Sequence, residues 1–91
     1  MGDETTEVLR RIATQIREKQ RTAGLSTTEM AARSTIPPAE LEPILRGEVD
    51  IPLHRLYLIA GALRVRPASL LAGIEWVPTE RGGGHFRVVD A

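Results

Sequence analysis

Apolar residues return along this chain with the period of a helix in five successive stretches, then give way to the alternation of strands. Over residues 5–23, Val8, Leu9, Ile12, Ala13 and Ile16 fall on one stripe, while Arg10, Arg11, Arg17, Glu18 and Lys19 fill the opposite face. That spacing predicts an amphipathic helix. Glu7 and Arg11 stand four apart with the acid first, a small stabilising pair, and Gly24 suits the left-handed position that ends a helix. Ser26-Thr27-Thr28-Glu29 reads as a capping box, in which the hydroxyl accepts from the Glu29 amide and the carboxylate reaches back to the Ser26 amide. A short second helix follows from Thr27 to Arg33 or Ser34, with Met30 and Ala31 inward, and then a tight turn through Ser34, Thr35 and Ile36. Pro38 fits the first position of a third helix, where its missing amide costs nothing. Leu41, Ile44 and Leu45 form that helix's inner stripe, and Arg46-Gly47 closes it. Pro43 is awkward there, since an interior proline costs ~3 kcal/mol; it is tolerated near the first turn or at a kink. Beyond a loop over residues 48–52, Leu53–Leu63 predicts a fourth helix, with Leu56, Ile59, Ala60 and Leu63 inward. Pro67 opens a short fifth, with Leu70 and Leu71 buried and Gly73 at its end.

The remaining segment has a different pattern. Residues 74–77 form a short strand signal stopped by Pro78, residues 79–84 a loop with a glycine triplet, and residues 85–89 a second strand signal. This predicts a hairpin, and a lone two-stranded hairpin is marginal in water. Trp76 and Phe86 need a surface to cover them. Either two chains join edge to edge through Ile74, Trp76, Phe86 and Val88, the arrangement expected here, or the hairpin folds back on its own fifth helix. The organisation expected is a helical domain over residues 1–73 and a β tail, a dimerisation element, over residues 74–91.

Charge and composition narrow the function classes. Twelve Lys and Arg balance twelve Asp and Glu, so the formal net charge is zero. That argues against a tight, purely electrostatic nucleic-acid binder, but leaves room for a local basic face. There is no cysteine, hence no disulfide framework and no cysteine metal site. His54 and His85 lack partners at ligand spacing and read as surface residues. Ser26 is occupied as a cap and has no base beside it, and the glycine triplet lacks the Lys-Ser/Thr and the helix of a phosphate loop. No enzyme, metal or cofactor is expected. The N-terminus is acidic and unlike a signal peptide, and no apolar run is long enough to span a membrane; a cytoplasmic, nucleoid-associated location is expected.

Taken in order, Ile16-Arg17-Glu18, Gly24-Leu25-Ser26-Thr27-Thr28-Glu29-Met30-Ala31, Ile36, Leu41, Ile44-Leu45-Arg46-Gly47, Pro52, Leu56, Ile59-Ala60, Leu63-Arg64-Val65 and Leu70-Leu71 resemble the lambda-repressor/Cro-like (XRE) helix-turn-helix family over roughly residues 8–72. The resemblance implies a mainly α, five-helix domain, here with a short C-terminal β-hairpin. It further implies a regulator of prokaryotic or phage type that binds double-stranded DNA as a homodimer. In such folds the second helix crosses the DNA backbone and the third lies in the major groove. Carried residue by residue, Ser26, Thr27 and Thr28 would meet the backbone, Pro38, Ala39, Glu40 and Glu42 would lie at or near base edges, and Arg46 and Arg17 would meet phosphates. Arg21, Arg33 and Arg55 are further candidate phosphate contacts. The third helix departs from the family pattern: it is acidic and proline-rich, with no Arg, Lys or Gln before Arg46, and Leu45 stands where a glutamate is usual. A second reading therefore stays open, in which the same fold is an accessory or antitoxin-like protein-interaction module.

Overall fold

The computed structural model describes residues 3–89. The four terminal residues of the two expected segments (1, 2, 90 and 91) lie outside the described residues. Four α-helices follow in order, α1 (Asp3–Ala23), α2 (Thr27–Ser34), α3 (Pro38–Leu45) and α4 (Leu53–Leu63). A 3₁₀ helix over Pro67–Leu71 and two strands, β1 (Ile74–Pro78) and β2 (Gly84–Val88), complete the chain. The expected fifth α-helix is thus a five-residue 3₁₀ turn, with Ser69 N–H donating to the Arg66 carbonyl. The segment between Pro67 and Gly73 is too short for the wider α hydrogen-bond ladder to repeat. This also corrects the expectation for Leu71. At three residues per turn, neighbours point a third of a turn apart, so Leu70 is fully buried while Leu71 remains 39% exposed.

The helices close around one aliphatic centre. Ile16, Met30, Ile36, Leu41, Ile44, Ile59 and Leu70 are its fully buried large apolar side chains, one or more from each helical segment and from the turn after α2. Burying a branched aliphatic side chain contributes ~1.5–3 kcal/mol, so these residues fix how α2 and α3 are presented. Pro43 sits sixth in α3, past the first turn, and the helix continues through it to Leu45. Its ring removes the bond that the Ala39 carbonyl would otherwise receive. The C-terminal end is nonetheless secured, because Arg46 N–H donates to the Glu42 carbonyl and Glu48 N–H to that of Pro43.

The strands pair antiparallel, with Ile74 opposite Val88 and Trp76 opposite Phe86. The hairpin lies back against its own chain rather than standing free. Ile74 and Val88 pack on the core, and the Ala72 carbonyl accepts from Arg11 Nε and Gln15 Nε2 of α1, both at 3.3 Å. Its central pair is less covered: Trp76 is 51% and Phe86 45% exposed. Their rings meet edge to face with centroids 4.9 Å apart.

Candidate nucleic-acid interface

The capping box forms as its sequence requires. Glu29 N–H donates to Ser26 Oγ at 3.0 Å and Ser26 N–H to Glu29 Oε1 at 3.1 Å. Accepting from the Ser26 backbone and, secondarily, the contact with its side chain hold the Glu29 carboxyl below its ordinary pKa, because both favour the charged form. Thr27 is half-buried, its Oγ1 accepting from Gln20 Nε2 of α1 at 3.3 Å, whereas Thr28 is exposed. The second helix is thereby locked to the first at its N-terminal end, with Thr28 outward.

A sharp turn leads into α3. Thr35 adopts the left-handed conformation, φ 62°, an unusual choice for a β-branched residue. Ser34 is wholly buried; its hydroxyl donates to the Ala31 carbonyl and accepts from Ile36 N–H, each at 3.3 Å. The turn and its flanks form a shallow recess of about 380 Å³, lined by Thr28, Ala31 and Ala32 from α2 and by Pro37 and Pro38 at the start of α3. Pro38, Ala39, Glu40 and Glu42 are all exposed, while Leu41, Ile44 and Leu45 turn inward.

The charged groups around α3 neutralise one another. Arg55 of α4 donates from Nη2 to Glu40 Oε1 at 2.5 Å. Both line a recess of about 240 Å³ with Ala39, Pro43, Ile44 and Pro52. Arg46 donates from Nε to Glu48 Oε1 at 2.9 Å, and its Nη1 lies 3.8 Å from Glu42 Oε2. The bond to Glu48 holds the Arg46 guanidinium above its ordinary pKa. Arg17 is placed differently from the other candidates. It donates from Nη1 to the carbonyl of Leu45 and lies 3.4 Å from Thr14 Oγ1 through Nη2. A cation at the last carbonyl of a helix is favoured by the helix dipole, so Arg17 ties α1 to the C-terminal end of α3. With leucine at position 45, a backbone carbonyl serves where a carboxylate is usual.

The structure thus brings Thr28 and Pro38 to one recess and Ala39 and Glu40 to the next, with Arg46 at the end of the same helix. Arg21 and Arg33 are exposed on α1 and α2, and His54 and His85 lie on the surface. Sequence reasoning missed the roles of Arg55, Glu48 and Ser34. Arg46 and Glu42 carried a readable signal, being four apart on one helix; Arg55 and Glu40 are fifteen residues apart on different helices, with no local signal. Among the described residues no group of His, Asp or Glu could hold a metal ion, and no helix is long and apolar enough to cross a membrane.

No protein-family profile matches the chain, and no curated protein matches it. Solved structures do. The restriction-modification controller protein C.AhdI from Aeromonas hydrophila is 26% identical and superposes with a TM-score of 0.66 over 68% of this chain and 94% of its own. An HTH_3 family transcriptional regulator from Vibrio cholerae is 26% identical with a TM-score of 0.70; the match covers 75% of this chain but only 38% of that one. The wild-type controller C.Esp1396I, at 19% identity, shares the fold with a TM-score of 0.64 over 69% of this chain. The resemblance to the lambda-repressor/Cro-like (XRE) helix-turn-helix family therefore holds in three dimensions.

Proposed function

We infer that this lambda-repressor/Cro-like helix-turn-helix protein is a transcriptional regulator that binds duplex DNA as a homodimer, with α3 entering the major groove. The observation that carries the reading is the α2–turn–α3 unit: its inner face is sealed in the core while Thr28, Pro38, Ala39 and Glu40 remain exposed on its outer side. The likeness to a controller protein and a transcriptional regulator supports the DNA-binding part. In this reading Ser26, Thr27 and Thr28 meet phosphates at the start of α2, where amides and helix dipole favour anions. Arg46 exchanges Glu48 for a phosphate, and Arg17 holds the end of α3 against α1 beside the same backbone. Pro38, Ala39, Glu40 and Glu42 face base edges. Dimerisation is supported by Trp76, Phe86 and Leu71, exposed around one groove; a symmetric pair reads half-sites about 34 Å apart, one helical turn.

The test is a fluorescence-anisotropy titration on duplex DNA over a series of salt concentrations. Expected is binding whose logarithmic affinity falls by about 0.9 per neutralised phosphate for each tenfold rise in salt. Absence of any salt-sensitive signal at about 10 micromolar protein, a concentration at which non-specific binding is normally visible, overturns the reading. The internal pairing of Arg46 and Arg55 with glutamates favours a second reading in that event: the exposed proline and alanine surface of α3 docks another protein.

A further inference from the structure

The outward side of α3 offers a duplex an unusual chemistry. Pro37 and Pro38 carry no side-chain donor, Ala39 presents a methyl group, and Glu40 and Glu42 only accept hydrogen bonds when ionised. Glu42 is engaged by Arg46. Glu40 is about as exposed as Glu42 (51% against 56%) but differs in its partner: Arg55 is only 26% exposed and holds it at 2.5 Å, whereas Arg46 is itself half exposed and lies 3.8 Å from Glu42. The guanidinium, rising from α4 through the recess behind α3, engages Oε1, and no described residue bonds Oε2. One oxygen is therefore anchored, the carboxylate's charge is locally offset, and the other oxygen remains available.

We propose that Glu40, anchored by Arg55, reads cytosine in the major groove by accepting a hydrogen bond from its N4 amino group; the proposal rests on the DNA-binding reading above. Two donors exist on major-groove base edges, adenine N6 and cytosine N4. Adenine N6 lies between two acceptors, its own N7 and the paired thymine O4, which repel a carboxylate. Cytosine N4 has an acceptor, guanine O6, on one side alone and faces an apolar C5–H on the other, so an anionic acceptor selects cytosine. Ala39 and Pro38, one and two residues before Glu40, suit the methyl group of a neighbouring thymine. Arg55 is a positioning residue. It restricts the rotamers of Glu40 and offsets a charge that would otherwise be repelled by phosphates.

The test is a selection of bound fragments from a random-sequence duplex DNA pool, run with wild type, E40Q, R55A and R55K, with thermal melting of each protein as a check of folding. Glu40 is exposed and Arg55 partly exposed, and neither belongs to the apolar core, so all four proteins are expected to fold. Wild type is expected to enrich a motif with one cytosine per half-site favoured about tenfold over other bases. E40Q is expected to exchange that cytosine for adenine, which glutamine contacts through N6 and N7 together. R55A should flatten the preference at that position and leave the rest of the motif intact, and R55K should restore part of it. A motif that E40Q leaves unchanged overturns the cytosine assignment and leaves DNA binding standing. No enrichment and no binding by wild type overturns the DNA-binding reading and this one with it.

Discussion

The hydroxyl of Ser34 lies between α2 and α3 and satisfies two backbone groups that water cannot reach. Removing it in S34A leaves the Ile36 N–H without its partner, at a cost of about 1–3 kcal/mol. Urea unfolding is expected to show this as a lower midpoint with an unchanged slope, since the surface exposed on unfolding hardly changes. Glu29 makes a contribution that pH can titrate. Its carboxyl pKa is depressed in the folded chain by the bonds to Ser26, so more protons are bound by the unfolded state. The stability it adds is complete above the ordinary carboxylate range and is lost as pH falls through the folded value. Unfolding measured at a series of acid pH values should therefore show a loss in wild type that is shallower in E29Q, which keeps an acceptor for the Ser26 amide without the titrating charge. Equal pH dependence of the two proteins would mean the cap holds no electrostatic component.

At the scale of elements, the two connections flanking α3 respond in opposite directions to substitution. Thr35 occupies a left-handed conformation that disfavours a Cβ by about 1–2 kcal/mol. T35G relieves this while losing ~0.5–1 kcal/mol to the greater freedom of the unfolded glycine, so a net gain of up to about 1.5 kcal/mol is expected in thermal or urea melts. Gly47, φ 71°, closes α3 against α1, and a Cβ there would approach Arg10 Cα at 2.9 Å. G47A combines left-handed strain with displacement of a helix backbone, and a loss of about 3 kcal/mol is expected. The same two residues show how far the sequence can be read. Gly47 after Arg46 announced the end of α3, as the capping box announced the start of α2, because caps depend on neighbours within a turn. The turn over residues 34–36 was legible too, but not the left-handed conformation of Thr35, since a β-branched residue is among the least favoured for it; packing of Ile36 and Ser34 into the core overrides its preference. Likewise Arg55 with Glu40, and Arg17 with the Leu45 carbonyl, are separated by fifteen and twenty-eight residues. Such contacts exist only once the helices have packed, so the family resemblance pointed to the surface proposed here to read DNA without revealing that its charges are internally paired.

At the scale of the whole molecule, the described residues span 44 × 26 × 19 Å, and apolar surface gathers where the hairpin leaves α1. Val8 and Ile12 of α1, Leu71, Ile74, Trp76 and Phe86 line a groove of about 310 Å³ there. Ile74 and Val88 already spend their surface anchoring the hairpin to its own chain, so of the four residues expected to join two chains, Trp76 and Phe86 retain the area to do so. Each aromatic side chain buries of the order of 150–250 Å² when fully covered. At roughly 25 cal/mol per Å², covering the exposed half of both rings on two protomers yields about 8–12 kcal/mol as an upper bound, against which association entropy must be set. W76A/F86A keeps Ile74, Val88 and the Glu75–Arg87 pair that spans the strands at 2.6 Å, so the helices and the hairpin's attachment should survive, as far-ultraviolet circular dichroism can check. Sedimentation is expected to show wild type as a dimer and the double variant as a monomer. The variant should also lose affinity for a two-half-site duplex while binding a single half-site as wild type does, because each reading head is unchanged and only the link between heads is cut. If wild type sediments as a monomer, or the double variant remains a dimer, the aromatic pair of the hairpin does not hold two chains together.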